Sequence, residues 1–103
     1  MTTVRYDREH LEMSVSGHSG AGKTGEDIVC AGISTLAQTL LFHAQEHGEF
    51  NPEIYMEMQT PVLKISCTPA SGDAEKCRWM YDVIYTGFEL MAENYPDYVI
   101  LGG

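Results

Sequence analysis

Apolar and polar residues alternate along Leu11-Glu12-Met13-Ser14-Val15-Ser16, the period of a half-buried strand, and Val4 to Tyr6 reads as a shorter strand before it. Asp7 to His10 supplies the turn between them. Beyond a glycine-rich connection the period changes. Val29, Ile33, Leu36, Leu40 and Ala44 recur at helical spacing, with Asp27 where an N-cap belongs and His47-Gly48 closing the segment. Ile54, Met56 and Met58 then alternate with Tyr55, Glu57 and Gln59, and Leu63, Ile65 and Cys67 with Lys64, Ser66 and Thr68; Thr60-Pro61 between them predicts a hairpin. Ser71-Gly72-Asp73 opens a second helix with the stripe Cys77, Met80, Ile84, Phe88 and Met91. Gly87 inside it costs about 1 kcal/mol relative to alanine, so close packing is expected there. Tyr95-Pro96 ends this helix, and Tyr98 to Leu101 predicts a last short strand.

The order is β-β-α-β-β-α-β. Hairpins favour antiparallel pairing, so the predicted class is α+β, a mostly antiparallel sheet packed with two helices. Two helices cover one face of such a sheet. An exposed apolar face drawing on the six methionines and six tyrosines would favour a homodimer. The 103 residues contain no repeat and no dividing linker, and are expected to form one domain spanning 1–103 with one core.

Composition narrows the function classes. With 44% hydrophobic and 20% charged residues the chain is of ordinary globular type. No run of about 18 apolar residues and no signal-peptide core at the amino terminus were found, so a cytoplasmic protein is expected, with no membrane partner. The net charge of −9 disfavours direct nucleic-acid binding and favours a basic protein partner. Cys30, Cys67 and Cys77 are odd in number and lack paired zinc spacing, which argues for reduced thiols in a reducing compartment.

Three motifs carry candidate chemistry. Gly17-His18-Ser19-Gly20-Ala21-Gly22-Lys23-Thr24 satisfies the phosphate-loop pattern, but Gly25 follows it and the apolar helical pattern starts only near Ile28. No strand ends in a magnesium-holding Asp, and two helices are too few for a nucleotide-hydrolase core. His43-Ala44-Gln45-Glu46-His47 matches an inverted zinc-peptidase pattern, yet lies in a last helical turn, where histidine is favoured by the helix dipole; no metal is expected. The third motif pairs His18 with Cys30. If Asp27 caps the helix, Cys30 falls in its first turn, where unpaired N–H groups and the dipole favour a thiolate. His18, brought back by Gly20, Gly22 and Gly25, would take the thiol proton and return it to a leaving amine. Asp27 would orient the imidazole or cap the helix, and Ser34, one turn beyond Cys30, would donate a hydrogen bond. A small buried cysteine is the competing reading of Cys30, and Cys67 and Cys77 fall on apolar stripes as core.

The stretch from Gly17-His18 through Gly25-Glu26-Asp27-Ile28-Val29-Cys30-Ala31 to Ser34 closely resembles the ribosomal-processing cysteine protease family, Prp. The resemblance extends to length and element order. It implies a small homodimeric bacterial enzyme without a cofactor that removes a short amino-terminal extension from a basic large-subunit ribosomal protein; relatives carried by phages make a phage protein a second candidate substrate. It implies His18 and Cys30 as the catalytic dyad, Asp27 as their support, and Gly17, Ser19, Gly20, Gly22 and Gly25 as a substrate loop. Ser19 and Gly32 replace alanines usual in the family, Gly32 is expected to loosen the helix, and Lys23-Thr24 is no family hallmark. A non-catalytic dimeric module that clamps a protein with the same loop is the alternative function.

Overall fold

The computed structural model describes residues 1–17 and 24–102, and of 24–27 the backbone alone. Its elements are β1 (Thr2–Asp7), β2 (Glu12–Ser16), α1 (Thr24–Glu46), β3 (Pro52–Glu57), β4 (Val62–Cys67), α2 (Ala74–Asn94) and β5 (Val99–Gly102), with 3-10 turns at Gly48–Phe50 and Ser71–Asp73. The α+β class and the order of the seven elements are those expected. The strands lie in the order β3-β4-β2-β1-β5. All neighbours are antiparallel except β1 and β5, which are parallel; α2 carries the chain from β4 across to β5.

Strand alternation sorts the side chains to the two faces of this sheet. Val4, Met13, Val15, Ile65, Cys67 and Val99 are buried beneath the helices, which contribute Val29, Ile33, Leu40, Cys77, Tyr81, Ile84 and Phe88 to the same core. The opposite face carries Arg5, Ser14 and Lys64 side by side across β1, β2 and β4, with the Lys64 Nζ 2.8 Å from Glu12 Oε1. The uncovered sheet face is therefore polar, not the apolar face expected from the methionine and tyrosine count. Tyr6 of β1 instead packs against Tyr81 and Tyr85 of α2, with ring centroids 5.6 and 5.2 Å away.

The two helices meet closely because each offers a glycine. A Cβ at Gly87 would lie 2.5 Å from Leu36 Cδ2, and one at Gly32 would lie 2.8 Å from Met91 Cε. The close packing expected at Gly87 is present. Gly32, expected to loosen α1, seats Met91 of α2. Ile28–Glu46 is apolar and long enough by composition to cross a membrane, contrary to the sequence reading. Its stripe of Val29, Ile33, Leu40 and Ala44 is nonetheless buried in this core.

A polar network ties the end of β1 to α2. The Tyr6 hydroxyl donates to Asp82 Oδ1 at 2.7 Å, Arg8 grips both Asp82 oxygens at 3.1 Å, and Arg78 Nε donates to the Arg8 carbonyl. The hydrogen bonds from Arg8 and then Tyr6 hold the Asp82 carboxyl below its ordinary value of 3.8. Asp82→Asn is expected to lower stability at pH 7 by about 1 kcal/mol, a modest figure because solvent screens this partly exposed group. Since the folded-state pKa is depressed, the carboxylate's contribution is complete above the ordinary value and is lost as pH falls through the folded one. Urea denaturation of both proteins should therefore show the gap at neutral pH closing on acidification; a gap that persisted in acid would contradict this origin.

Candidate active site

Strand β2 ends at Ser16, and Gly17 follows with φ at +90°, a conformation that side chains rarely adopt. A Cβ at that position would run into the Met1 carbonyl oxygen. Glycine is required on both counts. The Gly17 N–H donates to the Pro61 carbonyl at 2.9 Å, and the Thr2 hydroxyl donates to the Gly17 carbonyl at 3.4 Å. Gly17 is thus pinned between the start of β1 and the tip of the β3–β4 hairpin. His18, Ser19, Gly20, Gly22 and Lys23 lie outside the described residues, as does the side chain of Asp27; Gly25 is described by its backbone alone.

Helix α1 begins at Thr24, three residues before the N-cap expected at Asp27. Asp27 therefore stands within the helix, and its capping role is corrected. Cys30 becomes the seventh residue of α1 instead of a first-turn residue. The unpaired N–H groups belong to the first four helical residues, and the dipole's influence fades beyond the first turn. The first-turn placement on which the sequence reading of Cys30 rested is thus corrected. The earlier start puts Thr24 at the helix opening, removing one objection to a phosphate loop. Strand topology still argues against that reading, because β2, which leads into the motif, is antiparallel to both its neighbours.

The cysteines occupy two kinds of environment. Cys67 and Cys77 are buried, and Tyr81 donates from its hydroxyl to Cys67 Sγ at 3.2 Å. Burial, with Cys67 alongside, pushes the Cys77 thiol up to about 12. Such a thiol stays protonated and inert. Cys30 instead lines a cleft of about 340 Å³ together with Gly17 and Ser34. The opposite wall is apolar, formed by Met56, Met58, Pro61 and Leu63 of the hairpin. Ser34 shares the cleft with Cys30. The hairpin wall was not foreseen; the only sequence signal for it was methionine at the inward positions of β3.

Other candidate positions lie apart from this cleft. A larger hollow of about 520 Å³ on the polar sheet face is lined by Arg5, Arg8 and Lys64. It holds no thiol or imidazole, and Arg8 and Lys64 are engaged with Asp82 and Glu12. The His43 and His47 rings meet at a tilt with centroids 4.4 Å apart at the end of α1, and His47 stacks on Phe50. No group of three His, Cys, Asp or Glu among the described residues is placed to hold a metal. His10 pairs with Asp7 at 2.8 Å in the β1–β2 turn.

A family model for cysteine protease Prp matches residues 1–100. The chain belongs to the Prp family. Among solved structures, SMU.848 from Streptococcus mutans is 25% identical, with a TM-score of 0.76 over 97% of this chain and 89% of that one. The S. aureus ribosomal processing protease Prp, in complex with a covalently linked product peptide, is 22% identical, with a TM-score of 0.71 over 99% and 98% of the two chains. The same S. aureus protease with a substrate peptide gives 19% identity and a TM-score of 0.66 over 98% and 95%. The comparison with curated protein sequences finds no match. Membership of the Prp family makes the chain a cysteine peptidase.

Proposed function

We propose that this Prp-family chain is an endopeptidase in which Cys30 is the nucleophile and His18 the general base, acting on an amino-terminal extension of a basic large-subunit ribosomal protein or of a related phage protein. The observation that carries the reading is the cleft shared by Gly17 and Cys30. His18 follows Gly17 directly in the chain, and consecutive Cα atoms are about 3.8 Å apart, which supports assigning it to the same cleft.

The chemistry follows from these two groups. His18 takes the Cys30 proton as the sulfur attacks the peptide carbonyl carbon, and the carbonyl oxygen becomes an oxyanion. The imidazolium then gives its proton to the departing amine, leaving an acyl-thioester on Cys30. Water activated by His18 hydrolyses that thioester and restores the thiol. Ser34 donates a hydrogen bond into the cleft, Asp27 orients the imidazole, and Gly17, Ser19, Gly20, Gly22 and Gly25 form the loop that receives substrate. No cofactor takes part in these steps. The net charge of −9 favours a basic substrate. The enzyme works in the cytoplasm, where its three thiols stay reduced, as a single domain in a homodimer. Support for the dimer comes from Phe42, Trp79, Val83 and Leu90, exposed on the helices.

A peptide carrying a thiol-reactive carboxy-terminal group tests the dyad. Mass spectrometry should find it on Cys30 alone, and His18→Ala should prevent the labelling. Equal labelling of all three cysteines, or none at Cys30, would hand the cleft to the non-catalytic binding module.

A further inference from the structure

Strand β3 ends the sheet, hydrogen-bonded to β4 on one side and, among the described residues, to no strand on the other. Five of its six residues are exposed. Free strand edges are ordinarily protected by lysine, by a bulge or by a covering element. β3 has no lysine; Pro52 at its first position, Glu53 and Glu57 are what it carries of such protection, and the two glutamates give the edge a negative charge.

The two faces of β3 differ in chemistry. Ile54 and Met56 lie opposite Ile65 and Leu63 of β4, hence on the helix side, where they remain 36% and 51% exposed. Met58 continues this row at 79%. Glu53, Tyr55 and Glu57 alternate with them and lie on the open face. Met56, Glu57 and Met58 also line the cleft that holds Cys30. The edge and the cleft are therefore continuous.

We propose that the free edge of β3 receives the substrate as a sixth strand, an extended segment in which apolar and basic residues alternate, and leads it into the cleft at Cys30. The proposal rests on the peptidase reading above and adds the substrate's backbone form and residue pattern. Backbone hydrogen bonds to β3 supply affinity, and alternate side chains supply selectivity. Apolar side chains of the incoming strand continue the row of Ile54, Met56 and Met58. Its basic side chains come to lie beside Glu53 and Glu57, where opposite charges across neighbouring strands attract. A second copy of this chain fits the edge poorly. Two β3 strands paired antiparallel about Tyr55 would set Glu53 opposite Glu57 twice, in a protein already at net charge −9.

Binding is measured by fluorescence anisotropy on the Cys30→Ala protein, which holds peptides without turnover. The probe is a labelled heptapeptide alternating leucine and lysine. Its leucine–glutamate counterpart should bind about tenfold more weakly or worse, and Glu53→Lys with Glu57→Lys should reverse that preference. Backbone N-methylation decides whether a strand is formed. In a strand pair only alternate residues point their N–H groups at the partner, so methylating one alternate set should abolish binding and methylating the other should spare it. Equal tolerance of both sets overturns the proposal, as does an unchanged charge preference in the folded double variant. The methylation arm uses the native edge and decides the matter even if the double variant fails to fold. Dissociation of a homodimer by the peptide, read by sedimentation velocity, would identify a second copy as the occupant and also overturn it. Cleavage without the methylation pattern defeats the edge proposal alone; the methylation pattern with an unlabelled Cys30 in the parent protein defeats the peptidase reading alone.

Discussion

Cys30→Ala is expected to reduce peptide cleavage by about 10⁴-fold or more, to background, since removal of a covalent nucleophile takes away a whole reaction path and not one contact in it. The fold should survive the change. Cys30 is only partly buried at the cleft wall, and alanine removes one sulfur atom, so the stability change should stay within about 1 kcal/mol. A quenched basic peptide followed in parallel with thermal melting separates the two effects. Residual cleavage within tenfold of the parent, with an unchanged melting curve, would exclude Cys30 as nucleophile. Cys77 offers the opposite expectation: its thiol is buried and its pKa pushed up to about 12, so replacing it affects packing and leaves the turnover of folded molecules intact.

Phe88→Ala should have the largest effect on stability. Phe88 is fully buried, on the α2 face that packs against the sheet, one residue from the close approach of Gly87 to Leu36. Truncating a buried phenylalanine costs about 3–5 kcal/mol, from lost transfer energy plus the cavity that the surroundings cannot fill. A domain of this size is stable by only about 5–15 kcal/mol. The melting temperature should fall by roughly 15–30 °C, as measured by circular dichroism or calorimetry. Glu89, the next residue but exposed, provides the contrast, with an expected change within about 0.5 kcal/mol for alanine. Similar losses at both positions would mean that the α2 core face is wrongly assigned.

The two hydrophobic periods were sufficient to read the elements. Alternation in Glu12–Ser16 and Val62–Cys67 and helical recurrence in Ala74–Asn94 arise from local backbone geometry, which neighbouring residues alone can reveal. The start of α1 was less legible. Asp27 offers a strong capping signal and Gly25 a weak helix former, yet the helix runs back to Thr24. Local preferences of that size, under about 1 kcal/mol per residue, are readily overridden by tertiary context. The uncovered sheet face was misjudged because counting methionines and tyrosines says nothing about which layer receives them.

By itself the sequence determined the α+β class, the order of its elements, the burial of Cys67 and Cys77, and the His18 and Cys30 pair as candidate chemistry, all of which depend on residue type and short-range spacing. The tertiary structure alone decided that β3 stands at the sheet edge, that β5 pairs parallel with β1, and that the hairpin wall of Met56, Met58 and Leu63 faces Cys30 across one cleft. Those relations join residues more than twenty positions apart. A periodic pattern assigns each side chain to a face of its own element, whereas the neighbour that face meets is selected by the packing of the whole chain.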